Sequence, residues 1–193
     1  MKNSYLTSVL YRLEQVSRDA HDNFFNLTDE QILWQPDENS WSIGQCLLHL
    51  ILTDTLYFSQ VQSVLTYTYR RPLLSYVPFL PEFWGRVVVK SVQPTVGTPL
   101  VAPKIFVEGK PLNPSTIVRE FETHVANLTQ LIRDTDHFNH KKIYFRSPVF
   151  KTIIYPLSAT LELMANHHER HLNQALRVYK HPKFPKIRLN EEE

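Results

Sequence analysis

The sequence predicts an all-helical protein, a four-helix bundle, on three observations. Four stretches repeat apolar residues at the i, i+3, i+4 spacing of an amphipathic helix. No stretch alternates for long enough to suggest a clear sheet. Only 4 glycines stand against 13 prolines, a poor supply for the turns of a β-sandwich or the phosphate loop of a dinucleotide fold. The 193 residues suit one domain, 1–193, with 181–193 expected as a mobile tail.

The first helix lies around residues 4–26. Leu6, Val9, Leu10, Leu13, Val16, Ala20 and Phe24 form its stripe, with Arg12, Glu14, Arg18 and Asp19 largely off it. Thr28-Asp29-Glu30-Gln31 has capping-box spacing and opens a short turn that Pro36 stops. The second helix starts at Ser42-Ile43-Gly44-Gln45, again S-x-x-Q, and is expected to run to about Tyr69, before Arg70-Arg71-Pro72. Residues 72–113 hold seven of the thirteen prolines; so long a connection within one domain is often functional. A short helix over Pro81–Val89 would turn Phe83, Trp84, Val87 and Val88 to one side.

Asn113-Pro114 reads as cap and first position of the third helix, whose stripe is Ile117, Val118, Phe121, Val125, Leu128 and Ile132. Residues 135–156 are polar and irregular, with short extended pieces at 143–145 and 153–155. The fourth helix spans about Leu157 to Lys180, and Pro182 and Pro185 forbid its continuation.

A net charge of +2, with acids scattered among the bases, excludes a nucleic-acid footprint. The longest uncharged runs, Asn39–Thr53 and Thr55–Tyr69, are split by Asp54 and too short to span a membrane. The N-terminus carries no signal-peptide apolar stretch, and the single cysteine, Cys46, has no internal partner. A cytoplasmic protein is expected.

Nine histidines remain to be placed. With Met164 as zero and about 100° per residue, His167 falls near about −60° and His171 near about −20°, on the inward arc with Leu157, Thr160, Leu161, Ala175 and Val178. Glu162, Glu169, Arg170, Asn173, Arg177 and Lys180 fall on the outward arc. Spaced i and i+4, His167 and His171 can bind one metal ion from a single helix face. His168, near about +40°, offers an i, i+3 pair with His171 instead. His49 sits in the uncharged half of the second helix, where an unpaired imidazole costs about 1–3 kcal/mol. Either a backbone carbonyl or a metal shared with His167 and His171 would serve it. His124, at the edge of the third stripe, is a fourth ligand or a half-buried structural residue. His21, His137, His140 and His181 read as surface or loop residues.

Trp41-Ser42-Ile43-Gly44-Gln45 leading to His49, with His167-His168-Glu169-Arg170-His171-Leu172-Asn173-Gln174 far downstream, resembles the DinB-like superfamily of metal-binding four-helix bundles. That resemblance implies a three-histidine site at His49, His167 and His171 holding a divalent ion, zinc or nickel, with positions left open to water. It also implies a homodimer and a small-molecule substrate, since members include hydrolases and transferases of low-molecular-weight thiols. The 72–113 connector and the 135–156 loop depart from compact members. Gln45, one turn before His49, and Gln174, one turn after His171, are candidates to line the site, with His168 and His124. Two functions are therefore expected in competition: a metal-dependent enzyme acting by hydrolysis or thiol transfer, and a non-catalytic metal- or ligand-binding bundle.

Overall fold

The computed structural model describes residues 1–94 and 111–186. Residues 95–110 of the proline-rich connector and 187–193 of the expected tail lie outside the described residues. The described chain forms α1 (Leu6–Phe24), α2 (Asp29–Leu33), α3 (Ile43–Leu65), α4 (Leu80–Ser91), α5 (Ile117–Asp134) and α6 (Leu157–Tyr179). Two short strands, β1 (Tyr144–Arg146) and β2 (Ile154–Pro156), pair antiparallel with Phe145 opposite Tyr155. Among the described residues no helix is long and apolar enough to cross a membrane.

The four long helices α1, α3, α5 and α6 make the bundle. All seven stripe residues of α1 are buried, as are Ile117, Val118, Phe121, Val125, Leu128 and Ile132 of α5. Both capping boxes form: Thr28 and Gln31 close on each other at α2, Ser42 and Gln45 at α3. Gly44, in the first turn of α3, lets α2 and the residues before α5 close on it. A Cβ there would stand 2.9 Å from Ile32 Cγ2 and 3.0 Å from Leu112 Cδ2.

Side-chain pairings give the direction of each helix. Glu14 meets Arg133 and His21 meets Glu122, so α1 and α5 are antiparallel. Arg12 meets Glu162 and Glu169 while Phe24 meets Tyr179, so α1 and α6 are parallel. His49 meets His167, Asp54 meets His168 and Tyr57 meets Tyr155, so α3 and α6 are antiparallel. Asp54 meets His124, while Phe58 and Gln62 share a shallow cavity with Asn127 and Leu131, so α3 and α5 are parallel neighbours. Successive parallel helices need a connection that returns the whole helix length, about 34 Å for the 23 residues of α3. The long segment between α3 and α5 is thus required by the topology.

Several boundaries differ from the sequence expectation. Helix α3 stops at Leu65, four residues before Tyr69, because Tyr67 takes a left-handed conformation and the amides of Thr68 and Tyr69 both turn back to the Ser63 carbonyl. Helix α5 begins at Ile117 rather than beside Pro114; Asn113 caps the lead-in turn, its side-chain oxygen accepting from Ser115. The short connector helix runs to Ser91. Residues 181–186 pack against α2 instead of hanging free: His181 and Phe184 lie on the Trp34 ring, and Gln31 donates to the Pro185 carbonyl.

Two side-chain expectations are also corrected. His140 is fully buried, donating from Nε2 to the Thr135 carbonyl and accepting at Nδ1 from the Tyr5 hydroxyl at 2.6 Å. Glu162 and Glu169 are only partly exposed, because α1 packs along that side of α6 and brings Arg12 to both.

Candidate metal centre

The capping box at Ser42 sets the start of α3, and from there His49 comes two turns in, where only 5% of its surface stays exposed. Antiparallel α6 lays His167 and His171 against it. One nitrogen from each of the three rings falls within 4.8 Å of the others, and among the described residues this is the group of histidine, cysteine or carboxylate side chains so arranged. His49 Nε2 and His167 Nε2 stand 3.2 Å apart. Two imidazoles sharing a tetrahedral zinc at about 2.0–2.1 Å would have nitrogens about 3.3 Å apart, so the spacing fits a common divalent ion.

Trp41, the residue before the Ser42 cap, covers the cluster. Its ring stacks on His171 at 5.5 Å and 19° and meets His49 edge-on at 4.8 Å. His171 Nδ1 is buried without a hydrogen-bond partner among the described residues.

Burial keeps the two rings of α6, His167 and His171, neutral. Loss of hydration pushes His167 down to about 3, with His49 and His168 adding to the shift and the Asp54 charge opposing it. Burial likewise drives His171 far below the ordinary imidazole range; His167, His49 and Arg170 reinforce this, and the Gln174 side chain works in the opposite direction. Neutral imidazoles offer their lone pairs at pH 7 without a competing proton.

The other sequence candidates are placed differently. Gln45 spends its amide oxygen on the Ser42 backbone N–H and on Gln35 Nε2, so it serves the cap. Gln174 lies beside His171. His168 and His124 do not join the three-ring group. Both donate from Nε2 to Asp54 Oδ2, at 2.7 and 3.0 Å. Sequence reasoning missed Asp54, although it is the single formal charge between Asn39 and Tyr69 and so the one signal that this stretch buries a charged group. Asp54 is 1% exposed and His168 fully buried. Burial alone would raise the Asp54 carboxyl, but His168 and His124, each donating a hydrogen bond to it, hold it well below the usual carboxylate range. Cys46 is also buried, with its thiol pushed up to about 12 by desolvation, which makes it an inert core side chain.

Fold and side chains together define a helical bundle with a cluster of three imidazoles between two antiparallel rods. The chain belongs to the DinB superfamily, whose family model matches residues 12–175. A similar solved structure is that of YfiT from Bacillus subtilis, described as a probable metal-dependent hydrolase with an unusual four-helix bundle topology. The two share 18% identity with a TM-score of 0.55, over 92% of this chain and 87% of the other, a likeness of fold. No curated protein matches the chain.

Proposed function

We propose that this single-domain protein is a metal-dependent enzyme that acts on a small molecule through a divalent ion, zinc or nickel, held by His49, His167 and His171. The observation that carries the reading is the convergence of three imidazoles, from two helices, with no carboxylate among them. The description of YfiT as a metal-dependent hydrolase agrees with it. When bound, such an ion supplies Lewis-acid activation of a water or a thiol at a position that the protein leaves open.

The chain's own residues supply the remainder. His49 from α3 and the His167/His171 pair from α6 hold the donor atoms on two rigid rods. The Trp41 ring restricts the orientation of His171 and keeps water from its face. Three histidine ligands would leave the charge of a divalent ion uncompensated, so His49, His167 and His171 would suit an ion that attracts an anionic oxygen or sulfur group of the substrate. Hydrolysis and transfer of a low-molecular-weight thiol are the two reactions that use such a site. A cytoplasmic homodimer belongs to the same reading.

A second reading, a non-catalytic metal-binding bundle, is favoured by one observation. Asp54, Glu162 and Glu169 are each committed, the first to two histidines and the others to Arg12, so none serves as a general base. Metal content of tag-free protein and of His171→Ala tests the proposal. About one ion per chain in the parent and little in the variant is expected; equal loading of both would contradict it. Turnover of ester, amide or thiol substrates by the loaded protein then separates the enzyme from the carrier.

A further inference from the structure

Helix α6 offers two histidine pairs to the bundle interior, and both could serve a metal. His167 and His171 are one; His168 and His171 are the other. The mid-directions of the two pairs differ by only about 50° around the helix axis. Hydrophobic burial does not distinguish them strongly, because Met164, Ala165, His168, Leu172 and Ala175 are buried on the same side. Something else must decide which pair meets His49.

We propose that Asp54 is a positioning residue that claims His168 and thereby selects His167 and His171 as the imidazoles presented to His49. The proposal rests on the metal-centre reading above. Its geometry is specific. Asp54 Oδ2 accepts from His168 Nε2 at 2.7 Å across the α3–α6 interface and from His124 Nε2 at 3.0 Å across α3–α5. The His168 ring is further held by Phe121, stacked at 5.7 Å and 29°, and the His124 ring by Phe58, parallel at 5.3 Å. One buried carboxylate therefore ties three of the four bundle helices together.

The chemistry ties up the nitrogen of His168 that faces α3. An ionised carboxylate only accepts, so both ring nitrogens facing it carry hydrogens, and a nitrogen carrying hydrogen has no lone pair for a metal. His168 is thus withdrawn as a ligand through Nε2. A rotation of α6 that brought it to His49 would break the 2.7 Å bond and leave the Asp54 charge buried with a single partner, a costly state. Asp54 stabilises one rotational setting and penalises the alternative.

The test uses the full chain in three variants: Asp54→Asn, His168→Gln and Asp54→Asn/His168→Phe. Cobalt(II) serves as the probe, read by its visible ligand-field spectrum and by titration against a chelator. Asp54→Asn frees His168 to compete; it is expected to weaken cobalt binding about tenfold or more and to alter the spectrum. His168→Gln keeps a donor to Asp54 but removes the competitor, and should bind within about threefold of the parent. In the double variant the competitor is gone, so both affinity and spectrum should return towards the parent. A purely structural Asp54 predicts instead that the double variant binds as weakly as Asp54→Asn. That result, or parent-like binding by Asp54→Asn, overturns the proposal, as does loss of binding in His168→Gln.

Side-chain 1H–15N spectra of the metal-free protein give an independent readout. The proposal requires His168 and His124 as fixed Nε2–H tautomers in the parent, and displaced His167 and His171 signals in Asp54→Asn. A tautomerically averaged His168 overturns it whatever the metal result. If the parent binds no cobalt, the metal function fails, and these ring signals alone then decide whether Asp54 sets the orientation of α6.

Discussion

Two histidine clusters stand side by side in this bundle, both drawing on α3 and α6, with opposite chemistry. In one, His49 of α3 faces His167 and His171 of α6 with no carboxylate in the group. In the other, His168 of α6 and His124 of α5 face the Asp54 carboxylate of α3. Adjacent residues of a single helix, His167 and His168, belong to different clusters. The difference teaches that an imidazole's role is set by what it meets. Opposite a carboxylate it becomes a hydrogen-bond donor and a fastener between helices. Opposite other imidazoles, deprived of water, it becomes a neutral lone-pair donor suited to a cation.

The largest effect that separates the clusters is expected from His171→Ala. Losing one ligand should weaken metal binding by on the order of several hundredfold, about one ligand's share of the roughly 10–16 kcal/mol of a complete four-ligand zinc site. The metal-free fold, followed by circular dichroism, should change little. Asp54→Ala should show the inverse emphasis in the metal-free protein. It leaves two buried ring N–H groups without their acceptor, and denaturant unfolding should show a loss of about 2–3 kcal/mol. A melt unchanged from the parent would mean that the carboxylate fastens nothing.

Below these in size comes the response to acid. His167, His171 and His140 all have folded-state pKa values below the unfolded value of about 6.5, chiefly through desolvation. Each binds fewer protons folded than unfolded, so its contribution is complete above about pH 6.5 and is lost as pH falls below it. Asp54, also depressed, adds a loss that begins near its unfolded value, about 4. Thermal melts of the metal-free protein should therefore be flat near pH 7.5–8.5 and fall below about 6.5. Stability that rises between pH 6.5 and 5 would contradict these assignments. The smallest effect is expected from Ser42→Ala, which removes the cap that places Trp41 and His49; it should cost about 1 kcal/mol in a thermal or denaturant melt and leave metal content unchanged.

The same comparison shows what the sequence could disclose. The four stripes and both capping boxes are local patterns, and Leu6 to Phe24 or Ser42 to Gln45 needs no distant partner to be read. The His49, His167 and His171 group was legible because i, i+4 spacing and an isolated imidazole in an uncharged helix are also local, and because the motifs around them resemble a family. His168 was harder. A wheel places it on the inner face but cannot say that an acceptor waits there. Asp54 announced itself only as a charge where none was expected. His140 was misread because its partner Tyr5 lies 135 residues away. The parallel course of α3 and α5, which requires the long connector, follows from pairings such as Asp54 with His124 that no periodicity encodes.

X-ray absorption at the metal edge of tag-free protein loaded with zinc or nickel tests the central claim most directly. A shell of nitrogen and oxygen near about 2.0–2.1 Å is expected, with outer-ring scattering from three imidazoles, no sulfur from Cys46, and one imidazole fewer in His49→Ala. A sulfur ligand, or a shell that His49→Ala leaves unchanged, would contradict it.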